Sequence, residues 1–148
     1  MAEVLFYHLE RQRLEDVLPT LLERTIARGW RAVVELTDPM RCDDLDRFLW
    51  TYRDDSFLPH GIADANAAEH PVVLLTGPAN PNGANVRFLA DRAEPGEVDG
   101  YDRVVLLFSA DDPDAVSDAR RHWKPLKDAG HDVTYWRQSP SGAWEKKG

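Results

Sequence analysis

Nucleophilic, acid–base and metal chemistry each need particular side chains at particular spacings, and this chain has the types without the spacings. Its one cysteine, Cys42, stands beside Asp43 and Asp44, whose charge raises a thiol pKa and suppresses the thiolate. The five histidines, His8, His60, His70, His122 and His131, show no HxxxH or comparable ligand spacing. No serine lies in a GxSxG elbow. Asp111, Asp112 and Asp114 fit a helix start, where carboxylates complement the macrodipole, and Asp43, Asp44 and Asp46 fit a solvated face. Phosphate loops are missing too. His8-Leu9-Glu10-Arg11 follows the first apolar run, no GxxxxGK[ST] occurs, and Asn80-Pro81-Asn82-Gly83-Ala84 has turn formers but no lysine. No catalytic residue, cofactor site or metal site is expected.

Two stretches instead carry the residue types of recognition. From Leu49 to Gly61, the bulky Trp50, Tyr52, Phe57 and Leu58 fall among charges without a clean period, the mixture of aromatic anchors and polar rim found at protein interfaces. Further on, Val116, Ala119, Trp123 and Leu126 form one helical stripe. Arg120, Lys124 and Lys127 follow along its border at i, i+4, i+7. The plain interpretation is a core tryptophan beside a solvated basic edge. The sharper one is a socket for a short peptide with an acidic or carboxylate end, with guanidinium and ammonium groups as partners and the indole as wall.

The elements that must hold these stretches can be read from periodicity. Val4-Leu5-Phe6-Tyr7 predicts a strand, and Leu14 to Ile26, closed by Gly29, a helix that Pro19 should make start late. A strand over 32–36 and a helix over 39–50 follow, then a surface loop over 51–70. Strands are expected at 71–76, more weakly at 86–89, and at 103–108, where the run is continuous enough for burial on both faces. Asp112-Pro113 predicts an N-cap and first turn. The helix it opens runs towards Gly130, with Pro125 kinking it or ending its regular part. Val133-Thr134-Tyr135-Trp136 predicts a last strand, and residues 143–145 an added edge. Alternation of this kind predicts one α/β domain over 1–148 in three layers, a mostly parallel twisted sheet with helices on both faces. It is Rossmann-like without a nucleotide-binding loop, and 142–148 forms a C-terminal extension.

Composition narrows the partners. Lys and Arg total 18 against 26 Asp and Glu, a net charge of −8. Direct binding to nucleic acid over a broad face is disfavoured, since phosphate neutralisation needs the opposite balance. A single cysteine suits a reducing compartment, and neither a signal peptide nor an apolar run of membrane-spanning length is visible. A cytoplasmic protein with no membrane partner is expected.

Leu5-Phe6-Tyr7-His8-Leu9, Gly29-Trp30-Arg31, Leu49-Trp50 through Ser56-Phe57-Leu58-Pro59-His60-Gly61, Asn80-Pro81-Asn82-Gly83-Ala84, and Ala119-Arg120 through Trp123-Lys124 to Gly130-His131 together resemble the chi subunit family of bacterial DNA polymerase III holoenzyme. The resemblance implies a noncatalytic accessory subunit, a component of a DNA-directed DNA polymerase complex that acts in DNA replication. Such a subunit pairs with the psi subunit of the clamp loader and captures the acidic C-terminal tail of single-stranded-DNA-binding protein. DNA would then be reached only indirectly. Residue by residue, it implies tail binding by Arg120 and Trp123, with Lys124 and Lys127 nearby, and a clamp-loader (psi) interface at Trp50, Phe57, Leu58 and Pro59. The family pattern departs at Trp123, where some relatives carry tyrosine, and at Ser109, where some carry an apolar residue. The alternative is a small nucleotide- or metabolite-binding enzyme on the same scaffold.

Overall fold

The computed structural model describes residues 2–10, 12–51, 60–62, 67–90, 92–96, 98, 100–138 and 143–147. The strands are β1 (Glu3–Leu9), β2 (Ala32–Leu36), β3 (Gly61–Ile62), β4 (Val72–Thr76), β5 (Val86–Leu89), β6 (Arg103–Ser109), β7 (Asp132–Gln138) and β8 (Trp144–Lys146). The helices are α1 (Leu14–Ala27), α2 (Pro39–Thr51) and α3 (Pro113–Asp128). All eight strands form one sheet in the order β3-β4-β2-β5-β6-β1-β7-β8. Every pairing is parallel except β7 with β8.

Alternation along the strands sorts the core into two layers. Ala32, Val34, Val86, Phe88 and Val105 face α1 and α2 together with Leu18, Leu22, Leu45 and Leu49. Val4, Phe6, Leu106, Phe108 and Val133 face the opposite way and pack with Ala115, Ala119 and Leu126 of α3. The three layers expected from the alternating pattern are therefore present.

Four expectations need correction. Residues 86–89 are no weak strand: β5 lies between β2 and β6, and all four of its residues are buried. The arginine that interrupts its apolar run, Arg87, is 2% exposed and donates from Nε and Nη2 to Glu35 Oε1 at 3.1 and 2.7 Å. The same guanidinium donates to the carbonyls of Pro95 and Glu94, so it pegs the irregular 92–96 segment onto the sheet face that carries α3. Second, α1 begins at Leu14 despite Pro19. Proline there gives up only the bond to the Glu15 carbonyl in the second turn, while its ring is buried. Third, α3 continues through Pro125 to Asp128 without ending. The lost partner is the carbonyl of exposed Arg121, which water can serve. Fourth, the stretch predicted as a surface loop contributes β3, and His60 just before it is buried.

The extension at the C-terminus has a place in the sheet. β8 pairs antiparallel with β7 and sets Trp144 edge-on to Tyr7, 4.8 Å between ring centroids. The turn at 80–84 is structural: the Asn82 side-chain amide donates to the carbonyls of Ala32 and His70 at 3.1 and 2.9 Å, tying β2 to the segment before β4. Gly83 (φ 63°) supplies the left-handed step that lets it do so.

Candidate protein-binding surfaces

Helix α3 is built to lie flat on the sheet. Asp112 caps it, its carboxylate accepting from the N–H groups of Asp114 and Ala115 at 3.1 and 3.2 Å, with Pro113 opening the first turn. Ala115, Ala119 and Leu126 are its buried positions, and the two alanines let the backbone approach β6. Trp123, one turn on from Ala119, is half-buried.

Trp123 meets Phe6 edge-to-face at 5.3 Å and Tyr135 at 5.9 Å, while the Lys127 ammonium lies 5.4 Å from its ring centroid. The indole is therefore anchored from below by aromatic rings and flanked at the surface by a cation, a favourable cation–π geometry. Arg120 stands one turn earlier on the same border, exposed, and makes no ion pair among the described residues. Lys124 faces outward and is paired with Asp128 at 2.9 Å. Three of the four sequence candidates, Arg120, Trp123 and Lys127, thus share one surface, and Lys124 lies at its margin.

The opposite border of α3 is the reverse. There Arg121 contacts Glu94 and Asp118 at 3.0 and 3.2 Å, and Arg92 contacts Asp118 at 2.7 Å. These cations are neutralised in place, so the unmatched positive charge of α3 is concentrated beside the indole.

Beneath this surface lies a polar pair that sequence inspection did not single out. His8 is 8% exposed, and its Nδ1 is 2.6 Å from the Tyr135 hydroxyl. Its Nε2 has no hydrogen-bond partner among the described residues. Burial pushes the imidazole pKa down, helped by the positive Arg137 and Arg120, so His8 is neutral at physiological pH. Burial likewise raises the Tyr135 hydroxyl. The spacing of His8 and Tyr135, 127 positions apart, left no local signal of their contact.

The second sequence candidate is only partly within view. Trp50, on the last turn of α2, is 49% exposed, with its ring 4.4 Å from that of His60. With Met40 it is one of two large apolar side chains exposed among the described residues. Phe57, Leu58 and Pro59 lie outside the described residues.

A cleft of about 640 Å³ opens beyond the carboxyl ends of β1, β2 and β6, lined among others by Leu9, Leu36 and Phe108. The sequence offers no phosphate loop at this end of the strands. Among the described residues no group of three His, Cys, Asp or Glu could hold a metal ion, and no helix is long and apolar enough to cross a membrane.

Sheet order, helix placement and an exposed cation–indole patch define a mostly parallel α/β protein whose marked surfaces are suited to contacts with other proteins. The chain belongs to the DNA polymerase III chi subunit (HolC) family, whose model matches residues 1–134. It is 23% identical over 154 residues to a Rickettsia prowazekii protein named "Probable DNA polymerase III subunit chi", covering 99% of this chain and 92% of that one. It is 27% identical over 111 residues to the DNA polymerase III subunit chi of Pseudomonas aeruginosa, covering 75% and 77%. Membership makes it an accessory subunit of DNA polymerase III, associated with other replisome components. The match ends within β7, so β8 and its Trp144 lie beyond it.

Proposed function

We propose that this subunit is a noncatalytic tether, holding the acidic C-terminal tail of single-stranded-DNA-binding protein on α3 and the clamp loader, through psi, on the surface around Trp50. The observation that carries the proposal is the half-buried Trp123 with Lys127 over its ring and Arg120, without an ion pair among the described residues, one turn away. A carboxylate forked onto Arg120 is a charge-assisted contact of about 1.5 to 3 kcal/mol. An aromatic hot spot adds roughly 2 kcal/mol or more. Micromolar affinity requires only about −8 kcal/mol.

Calorimetry with an acidic peptide ending in a free aromatic carboxylate tests the tail site. Arg120→Ala should weaken binding by about 1.5 to 3 kcal/mol and leave the fold intact. Equal affinity for wild type and variant removes Arg120 from the site. On the other surface, Trp50→Ala and Phe57→Ala should abolish capture of purified clamp loader while sparing the peptide. Undiminished capture sinks the assignment of Trp50, Phe57, Leu58 and Pro59.

The cleft at the carboxyl ends of the strands favours a second reading, a small nucleotide- or metabolite-binding enzyme, since open α/β sheets bind ligands there. Two features weigh against it. The Asp112 carboxylate already occupies the α3 N-terminus, where a phosphate would sit. The cleft is also lined by five carboxylates, Glu10, Glu15, Asp44, Asp111 and Asp112, against the guanidinium groups of Arg13, Arg41 and Arg92. A ligand at 100 times its Kd stabilises by about 2.7 kcal/mol. Thermal stabilisation by nucleotides and none by the acidic peptide would favour the enzyme.

A further inference from the structure

A separate cavity of about 400 Å³ lies between α1 and the sheet. Its floor is Leu5, Phe88 and Val105, all buried, and Tyr7 forms part of its wall. Three arginines line it, Arg24, Arg28 and Arg103, and among the described residues that line it none is acidic. Arg103 is matched from outside by Glu3, Nε to Oε1 2.5 Å. Arg24 and Arg28 form no ion pair among the described residues. The Arg28 guanidinium carbon is 3.9 Å from the ring centroid of Trp30, and that of Arg103 is 5.5 Å from it.

A guanidinium stacked on an indole keeps its N–H donors in plane and free to fork onto a carboxylate. Three arginines gathered over apolar floor on a chain of net charge −8 are a local inversion of charge that an anion would relieve. The aromatic rings nearby are already engaged, Trp30 with Arg28 and Tyr7 with Trp144 and Trp136. The open ring faces on which single-stranded nucleic acid stacks are therefore not what this cavity presents. Its volume is at the small end of ligand sites and suits an apolar side chain.

We propose that this cavity captures an acidic segment of a partner protein, a carboxylate bridging Arg24 and Arg28 while a neighbouring apolar side chain enters over Leu5, Phe88 and Val105. It is independent of the α3 surface, because Leu5 and Tyr7 point to one face of β1 and Phe6 and His8 to the other. The two sites could be occupied together.

The five indole N–H signals of the chain, followed by nitrogen-15 NMR, separate the two sites. The probe is an acidic pentapeptide with one internal leucine and an amidated end. It should shift the Trp30 signal saturably, and should do so equally in Arg120→Ala. Arg24→Gln with Arg28→Gln should weaken the response about tenfold or more, as expected for a lost charge-assisted fork. Arg28→Lys, which keeps the charge and loses the fork, should fall between. A Trp30 signal that stays still, or responds equally in the double variant, overturns the proposal. So does a shift produced by oligothymidylate and not by the peptide. Movement confined to Trp123 overturns it while leaving the α3 tether intact, and movement at Trp30 without any at Trp123 upholds it, the tether being tested separately by the peptide with a free aromatic carboxylate.

Discussion

Arg87 and Glu35 show how one residue pair can decide whether a segment is core. Each is buried, and they are bonded across adjacent central strands. Burial raises the Glu35 pKa even against the Arg87 charge, so the carboxylate depends on its partner to remain ionised. Removing one member of a buried pair typically costs about 3 to 5 kcal/mol. Arg87→Met should therefore destabilise by about that amount in urea unfolding, and adding Glu35→Met should restore part of it, leaving the carbonyls of Glu94 and Pro95 without their donor. Stability of the single variant should recover as pH falls, because a protonated Glu35 no longer needs the arginine. A single variant as stable as wild type would show that the pair is dispensable. His8 titrates in the opposite sense. Its folded pKa lies below the ordinary value of 6.5, so the unfolded chain takes up the proton first and stability falls as pH drops through that value. His122, also depressed chiefly by burial, adds to the slope. His8→Asn, which still offers Tyr135 a polar partner, should lose less stability between about pH 7 and about pH 5.5 than wild type. Identical losses would mean that His8 charges as easily in the fold as out of it.

At the scale of elements, α3 rests on its first turn as much as on its apolar stripe. Asp112 satisfies two N–H groups that have no partner within the helix. Asp112→Ala should cost about 1 kcal/mol in urea unfolding, within the usual 0.5 to 2, and a change below a few tenths would show that water serves those groups as well. That cap was legible from Asp112-Pro113 alone, as were β2 at Ala32–Leu36 and the start of α2 at Pro39, because each is marked by residues adjacent in sequence. What depended on distant partners was not legible. β5 looked weak because its arginine is neutralised by a glutamate 52 positions away. Pro19 and Pro125 looked like breaks because nothing local reveals whether the carbonyl they orphan faces water or core. For the candidate surface, the helical wheel brought Arg120, Trp123 and Lys127 together correctly. It could not see that Phe6 and Tyr135 would hold the indole, whereas Asp128, which draws Lys124 aside, stands four positions on along the same helix and is legible from the wheel.

For the whole molecule, the proposed tether sets a local charge against a global one. The chain carries −8, so an acidic peptide is repelled at long range and attracted only within reach of Arg120 and Lys127. These opposing terms respond to salt differently. The Debye length is about 30 Å at 0.01 M, about 8 Å at physiological ionic strength and about 3 Å at 1 M. Raising salt from low to physiological values removes repulsion from carboxylates beyond the screening length first, and it weakens the close attraction at the same time. The two changes offset, so affinity for the peptide should alter little over that range and then fall steeply towards 1 M. A nucleic-acid site behaves otherwise, losing affinity from the first increment as counterion release is suppressed. Titration of the peptide at these three salt concentrations checks the argument. A monotonic decline from the lowest salt would mean that the anionic body exerts no repulsion on the bound peptide. Affinity that persists at 1 M would mean that the apolar wall of Trp123, and not the cations, holds the tail.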